Sequence, residues 1–307
     1  MLAGGLLAAF FICIPIGEIY RAVHSANLIL FGMAVLLGVP GMFLSTLSTW
    51  LLACRQGITM PLWEFFLFNM AIRFYSFFFP TSAISTAMRW HKLSAGSKKA
   101  EALSAIAFTR AMSIFIALFL GMFWVLSGIE QEVIDPLVFV LFILLFLAGW
   151  LAVTRLSPSL ARAFHRLSAA FDNRWMKRIA SFAGRLFASV EAYAQMSLPA
   201  LAGIGLINLA NELLGVVSYV LIAWAMDIPL SFVNLGWLRS IAFLAALAPF
   251  TLAGGVGLRE VTVLVILSTF GVEPDVAAGY SFLIYARGAV FALLCGAFEL
   301  GLALKSR

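Results

Sequence analysis

Two stretches of this chain repeat one order of residues: a proline, a run of small residues, an arginine, and a second arginine inside an apolar run. Their landmarks are Pro80, Arg89 and Arg110 in the first stretch and Pro249, Arg259 and Arg287 in the second. A guanidinium is planar and presents paired donors that suit phosphate oxygens. Because helix breakers and charges are costly in hydrocarbon, a membrane protein carrying both twice is predicted to bind a substrate at mid-membrane depth.

The first stretch surrounds its arginines with amide and hydroxyl groups. We expect Arg73, Arg89 or Arg110 to contact a phosphate. The expected supporting groups are Asn69, Ser82 and Ser85. Asn69 and Arg73 are one helical turn apart and therefore share a face. The alternatives are a structural base at Arg73 and a cytoplasmic membrane anchor at Arg89.

The second stretch contains a glycine-rich turn before a short apolar helix. Its glycines are Gly254, Gly255 and Gly257. A turn that leads into a helix N-terminus presents free N–H groups and a positive dipole end, which suits an anion. The alternative is a tight interhelical loop with a local Arg259–Glu260 pair. Arg287 lies deep in the last apolar run, and its expected partner is Glu260 or Glu212.

A polar pair lies in the sixth apolar run. Asn208 and Glu212 are four residues apart and share a helix face. They are expected to pair with Arg110 or Arg287, to relay protons, or to act as polar contacts between helices.

Composition defines the class of protein. Of the 307 residues, 63% are hydrophobic and 11% are charged, and the mean hydropathy is +1.04. A soluble domain has about 25% charged residues, so the chain is predicted to be an all-α polytopic membrane bundle. We expect eight or nine transmembrane or half-membrane helices, with a two-fold internal repeat as one option. The candidate runs are 2–16, 28–53, 62–80, 102–126, 137–153, 198–226, 232–252, 261–270 and 276–304, of which 261–270 is short enough to be a half-helix.

Charge placement predicts orientation. Bases crowd the segments 89–99 and 155–190 and the C-terminus, whereas 127–136 contains three acids and no base. The positive-inside rule therefore places those basic segments and the C-terminus in the cytoplasm, in a plasma (inner) membrane. Nine crossings, or eight with one re-entrant hairpin, satisfy this assignment. The net charge of +6 is attributed to membrane orientation, so no nucleic-acid partner is expected.

The long polar segment divides the chain into two halves. We treat 1–307 as one transmembrane domain, with a first half at 1–154, a cytoplasmic linker at 155–190 and a second half at 191–307. Within the linker, apolar residues recur at helical spacing over 160–171, which predicts an amphipathic helix on the inner leaflet. No cofactor or metal is expected, because the three histidines and three cysteines show no metal-ligand spacing.

These features resemble the transmembrane region of lysylphosphatidylglycerol synthases, a group of flippase-like integral membrane proteins. The resemblance rests on Asn69, Phe79-Pro80, Arg89, Arg110, Pro249, Gly254-Gly255-Val256-Gly257-Leu258-Arg259-Glu260 and Arg287. It implies a membrane domain that handles phospholipids or polyprenyl-linked glycans. The full-length synthases carry a C-terminal aminoacyl-transferase domain, whereas this chain ends at Arg307, so we do not expect it to synthesise aminoacyl lipids by itself. Its first stretch also lacks the glycine pair that often follows the proline in relatives.

Three functions are compatible with the sequence. The first is translocation of an anionic lipid between leaflets, without enzymatic activity. The second is a non-catalytic membrane partner of a separate glycosyl- or aminoacyl-transferase, recruited through the basic 155–185 segment. The third is an integral-membrane transferase acting on a lipid-linked sugar, with Glu260 or Glu64 as its carboxylate.

Overall fold

The computed structural model describes residues 26–78, 82–94, 98–127, 137, 140–141, 144, 148, 156–164, 166–167, 174–246 and 258–305. Most of these residues are helical, and none of them lies in a strand. The ten main helices are α1 (Leu28–Leu36), α2 (Gly38–Arg55), α3 (Leu62–Phe78), α4 (Ser82–Leu93), α5 (Lys99–Leu126), α6 (Arg174–Ala194), α7 (Leu198–Ala225), α8 (Phe232–Ala246), α9 (Leu258–Thr269) and α10 (Pro274–Lys305). The expected first span and most of the expected fifth lie outside the described residues, as do Gly254, Gly255 and Gly257.

Four segments among the described residues are long and apolar enough to cross a membrane. They are Leu28–Arg55, Lys99–Leu126, Leu198–Ala225 and Pro274–Gly301. At about 1.5 Å per residue, 28 helical residues extend about 42 Å, which exceeds a hydrocarbon core of about 30 Å. The chain is therefore a helical, multi-pass membrane protein. The total of eight or nine spans stays a prediction, because part of the chain lies outside the described residues.

One end of the bundle collects basic residues, and we call it the basic end. It comprises residues 55–62, 90–94, 98–99 and 189–198. Lys98 Nζ donates to the carbonyl oxygens of Gln56 and Gly57, at 3.3 and 2.6 Å, and Gln56 Nε2 donates to the Ser189 carbonyl at 2.9 Å. Its bases include Arg55, Lys92, Lys98 and Lys99.

The opposite end carries acids, and we call it the acidic end. It comprises residues 26–27, 124–127, 225–232 and 270–275. The Asn27 amide donates to the Ala225 carbonyl at 2.8 Å, and the rings of Trp124 and Phe232 are 5.6 Å apart. These segments contain Asp227, Glu273 and Asp275 but neither lysine nor arginine.

Two pairs of helices form hairpins that enter the bundle from opposite ends. The first arm, α3, begins at the basic end and α4 returns to it, because Lys92 near the end of α4 pairs with Glu64 near the start of α3 at 2.8 Å. The helices α8 and α9 repeat this arrangement at the acidic end, where Trp237 lies 6.0 Å from Phe270. The helices α3, α8 and α9, which fall within the expected spans or half-spans 62–80, 232–252 and 261–270, are therefore arms of hairpins. The sequence predicted a half-helix or re-entrant piece only for 261–270, because α3 and α8 are about as apolar as the long helix α10.

The helices of the two halves pack in matching pairs. The hairpin helix α3 packs against α10, and its counterpart α8 packs against α5. The long helix α2 contacts α3 and α5, and α7 contacts α8 and α10. Glycines allow α3 to approach α10 closely and α8 to approach α5 closely. A Cβ added at Gly296 would lie 2.4 Å from the Phe74 ring, and one at Gly236 would lie 2.6 Å from the Trp124 ring.

The linker between the halves is more helical than predicted. Residues 156–164 and 166–167 are helical, in partial agreement with the helix expected over 160–171, and α6 follows as a longer amphipathic helix that runs past residue 190. The two stretches contact each other through stacked rings of Phe164 and Phe187, 5.6 Å apart. The helix α6 packs against α5, and Tyr193 donates to the Leu52 carbonyl at 3.3 Å. These contacts fix the linker at the basic end.

Candidate anion-binding site

Arginines from six different helices converge near the middle of the bundle. They are Arg73 on α3, Arg89 on α4, Arg110 on α5, Arg239 on α8, Arg259 on α9 and Arg287 on α10. Arg110 is the twelfth residue of the 28 in α5, and Arg287 is the fourteenth of the 32 in α10. At about 1.5 Å per residue, both lie about 15–20 Å from the starts of their helices, close to the midplane of a bilayer.

The first half contributes three of these arginines. Arg89 lies close enough to both Arg110 and Arg73 for their positive charges to repel one another. Its Nε is buried and has no hydrogen-bond partner within the described part of the chain. Arg89 is thus part of the central cluster, which argues against the alternative of a membrane anchor at the cytoplasmic end of the helix.

The second half meets the first through Arg73. Arg287 lies within electrostatic range of Arg239, Arg259 and Arg73, and Arg259 also lies within range of Arg73. Arg287 Nη1 donates to the hydroxyl of Ser218 on α7. The two hairpins and the two long helices that follow them therefore direct their arginines to one region.

Two of the six arginines have carboxylate partners. Arg239 Nη2 lies 3.0 Å from Glu212 Oε2, and Arg259 Nε donates to Glu260 Oε1 at 2.9 Å. The local Arg259–Glu260 pair was anticipated. The expected pairing of Glu212 or Glu260 with Arg287, and of Glu212 with Arg110, is wrong, because α8 lies beside α7 and presents Arg239 to Glu212 instead.

The other four arginines have no such partner within the described part of the chain. Among the described residues, no carboxylate oxygen lies within 4.0 Å of the guanidinium nitrogens of Arg73, Arg89, Arg110 or Arg287. The sequences that join the hairpin arms, 79–81 and 247–257, contain neither aspartate nor glutamate. Like charges held together at mid-membrane depth repel one another unless an anion or water lies among them.

The arginines border accessible space. Arg73 is exposed, and the other five are partly exposed, although they lie deep in the bundle. Two glycines make room for them. A Cβ at Gly288 would lie 3.4 Å from Arg73 Nη2, and a Cβ at Gly215 would lie 2.6 Å from Arg239 Nε. The missing side chain at Gly215 therefore lets the Arg239 guanidinium lie against α7, within reach of Glu212.

The expected supporting amides join helices to each other. Asn69 Nδ2 donates to Thr46 Oγ1 at 3.2 Å, and Asn208 Nδ2 donates to Ser48 Oγ at 2.7 Å. Ser113 completes the second contact by donating to Asn208 Oδ1 at 3.3 Å. Polar contacts of this kind hold helices together in membranes. These bonds place Asn208 in contacts of α7 with α2 and α5, which is one of the roles expected for it.

The hairpins also direct helix N-termini toward the centre. The returning arms α4 and α9 have 12 residues each, and they begin at Ser82 and Leu258. Ser82 and Ser85 lie in the first turn of α4. A helix N-terminus carries a partial positive charge, so both returning arms add to the positive potential at mid-depth.

Sequence reasoning missed Arg239 and Ser218. Arg239 is an isolated arginine in an apolar run, the same signal that identified Arg110 and Arg287, and it stands next to Ser240 in the stretch 232–246. Ser218 gave no signal, because serine is common in membrane helices and its contact with Arg287 depends on how α7 and α10 pack. No group of three or more histidine, cysteine, aspartate or glutamate side chains able to hold a metal occurs among the described residues.

A family model described as the lysylphosphatidylglycerol synthase TM region matches residues 1–296. The match extends over almost the whole chain, so the chain belongs to this family. Searches among curated proteins and among solved structures found no match.

Proposed function

We propose that this member of the family binds the anionic headgroup of a lipid among its central arginines and passes it between the two leaflets. The observation that carries the proposal is the set of four arginines without carboxylate partners in the described structure: Arg73, Arg89, Arg110 and Arg287. A headgroup phosphate is the anion that reaches mid-membrane depth with its own apolar tail. Arginine is the side chain that best suits it.

The hairpins give this site a route to each leaflet. One hairpin begins and ends at the basic end and the other at the acidic end, and the helices of the two halves pack in matching pairs. We propose that the halves are an internal repeat of inverted orientation. Transporters with such repeats expose a fixed central site alternately to either side as one repeat moves against the other.

The basic end is proposed to face the cytoplasm of a plasma (inner) membrane. The bases of this end and of the linker contrast with the acids of the opposite end, in the sense of the positive-inside rule. The helix α10 begins at the acidic end and runs toward the basic end, which gives a cytoplasmic C-terminus.

The family match concerns a transmembrane region, and no catalytic domain is evident. We therefore propose a non-enzymatic role. The pairing of Glu260 with Arg259 and of Glu64 with Lys92 supports this, because both carboxylates proposed for a transferase are engaged in ion pairs.

A lipid-exchange assay tests translocation. Full-length protein would be reconstituted in vesicles with a phosphatidylglycerol that carries a fluorophore on its acyl chain, and exchange would be followed by quenching the outer leaflet. We expect Arg110→Ala and Arg287→Ala each to reduce the exchange rate toward that of protein-free vesicles. Arg55→Ala, which removes an exposed charge at the basic end, is the matched control. Unchanged exchange in both site variants would contradict the proposal.

The linker supports a second function. On α6, the apolar side chains of Met176 and Ile179 are exposed beside Lys177. A separate transferase that docks here would be retained during purification by the wild type and lost from an Ile179→Glu variant. Retention by both proteins would exclude this face as the docking surface.

A further inference from the structure

We propose that the central site selects a headgroup with two or more negative charges, a phosphomonoester or a diphosphate, over a singly charged phosphodiester. This inference rests on the proposed function of the arginine cluster as a headgroup site. It adds the chemical class of the ligand.

The charge of the site is the first argument. Six arginines and two glutamates form the cluster, so four positive charges are uncompensated among the described residues. The connecting sequences 79–81 and 247–257 contribute no acid. A phosphodiester would neutralise one of these charges and leave three to repel one another at mid-membrane depth. A dianion or trianion neutralises more of them, and its advantage is largest where water is scarce.

The arrangement of the uncompensated arginines is the second argument. Arg89 lies within range of Arg110 and Arg73, and Arg73 in turn lies within range of Arg287 in the other half. The unpaired charges therefore form one connected group that spans both halves. Each guanidinium can donate two parallel bonds to one phosphate, so four of them exceed the acceptor capacity of the two free oxygens of a phosphodiester. A phosphomonoester offers three terminal oxygens, and a diphosphate offers more.

The buried nitrogen of Arg89 is an independent sign of a missing acceptor. Its Nε has no partner in the described part of the chain, whereas Arg287 and Arg259 each have a bonding partner. A buried charged donor without an acceptor is strongly unfavourable, and a phosphate oxygen at this position would satisfy it.

A comparison of two lipids with identical acyl chains tests the inference. Phosphatidic acid ends in a phosphomonoester, and phosphatidylglycerol carries a phosphodiester. Binding of each to full-length wild-type protein would be measured by native mass spectrometry at pH 8 and pH 5. We expect phosphatidic acid to bind at least about tenfold more tightly at pH 8, and the preference to shrink at pH 5, because the second pKa of a phosphomonoester is about 6. Arg287→Gln should reduce the preference, and Arg55→Gln should preserve it.

The outcomes separate this inference from the proposed function. Equal affinities for both lipids at pH 8, or a preference that does not change with pH, would overturn the inference while leaving a headgroup site in place. Binding of neither lipid and no binding of inorganic diphosphate would overturn both. Inorganic diphosphate serves as the soluble probe. If inorganic diphosphate binds, if Arg287→Gln weakens that binding, and if neither lipid binds, the site prefers a multiply charged anion that is not a lipid headgroup.

Discussion

Isolated arginines in apolar runs are the residues that define the central cluster. Arg110 and Arg287 could be identified from the sequence because a charge deep in a span is costly, and its presence therefore indicates a functional role. Arg239 obeys the same rule and was overlooked, since no proline or glycine motif accompanies it. The ion-pair partners could not be predicted, because Glu212 reaches Arg239 only through the packing of α7 on α8.

The Arg239–Glu212 pair gives a prediction about stability. Both side chains are largely buried, so replacing one leaves an unpaired charge in the bundle. We expect Glu212→Ala to lower the free energy of unfolding by about 3–5 kcal/mol, as is typical for breaking a buried pair. The double variant Glu212→Gln/Arg239→Gln should recover most of this loss. Thermal melting of the detergent-solubilised protein measures both, and a melting temperature of Glu212→Ala equal to that of wild type would contradict the assignment.

The hairpins are the elements that bring the arginines together. The sequence predicts interruptions at Pro80 and Pro249, because proline cannot continue a helix, and both prolines lie outside the described residues. A half-helix or re-entrant piece was predicted for 261–270 from its short length, whereas the return of α4 was not predicted, since the direction of a helix after a break leaves no periodic signal. It follows from tertiary contacts such as Glu64–Lys92, which joins residues 28 positions apart.

Two glycines lie against aromatic rings where α3 packs on α10 and where α8 packs on α5, and they give a prediction about stability. An added side chain at Gly296 would collide with Phe74, and one at Gly236 would collide with Trp124. We expect Gly296→Val and Gly236→Val each to lower the melting temperature, because α3 would separate from α10 and α8 from α5. A Cβ at Gly301 meets nothing within 4 Å, so Gly301→Val should melt like wild type. If all three variants melt alike, these close packings do not hold the bundle together.

The opposite charge of the two ends is a property of the whole molecule. Composition alone identified a polytopic helical membrane protein, and the distribution of bases indicated one orientation. The sequence left the relation of the halves open, because the two stretches differ in their flanking charges. The matched packing of α3 on α10 and of α8 on α5 favours an inverted arrangement.

Side-specific labelling tests this arrangement. In a background without Cys13, Cys54 and Cys295, single cysteines would be placed at Asp227, Glu273 or Lys99 and exposed to a membrane-impermeant maleimide. We expect Asp227→Cys and Glu273→Cys to react in intact cells and Lys99→Cys only after permeabilisation, since the basic end is proposed to face the cytoplasm. Reaction of Lys99→Cys in intact cells to the same extent as Asp227→Cys would contradict the orientation.

The central claim is that the arginine cluster holds a lipid anion. Native mass spectrometry of gently extracted protein, comparing wild type with the Arg110→Ala/Arg287→Ala variant, tests it most directly, with Arg55→Ala as the control and thermal melting to verify folding. We predict that wild type and Arg55→Ala retain an anionic lipid and that the double variant, folded like wild type, loses it. Equal retention by a folded double variant would contradict the claim and would assign both arginines a structural role.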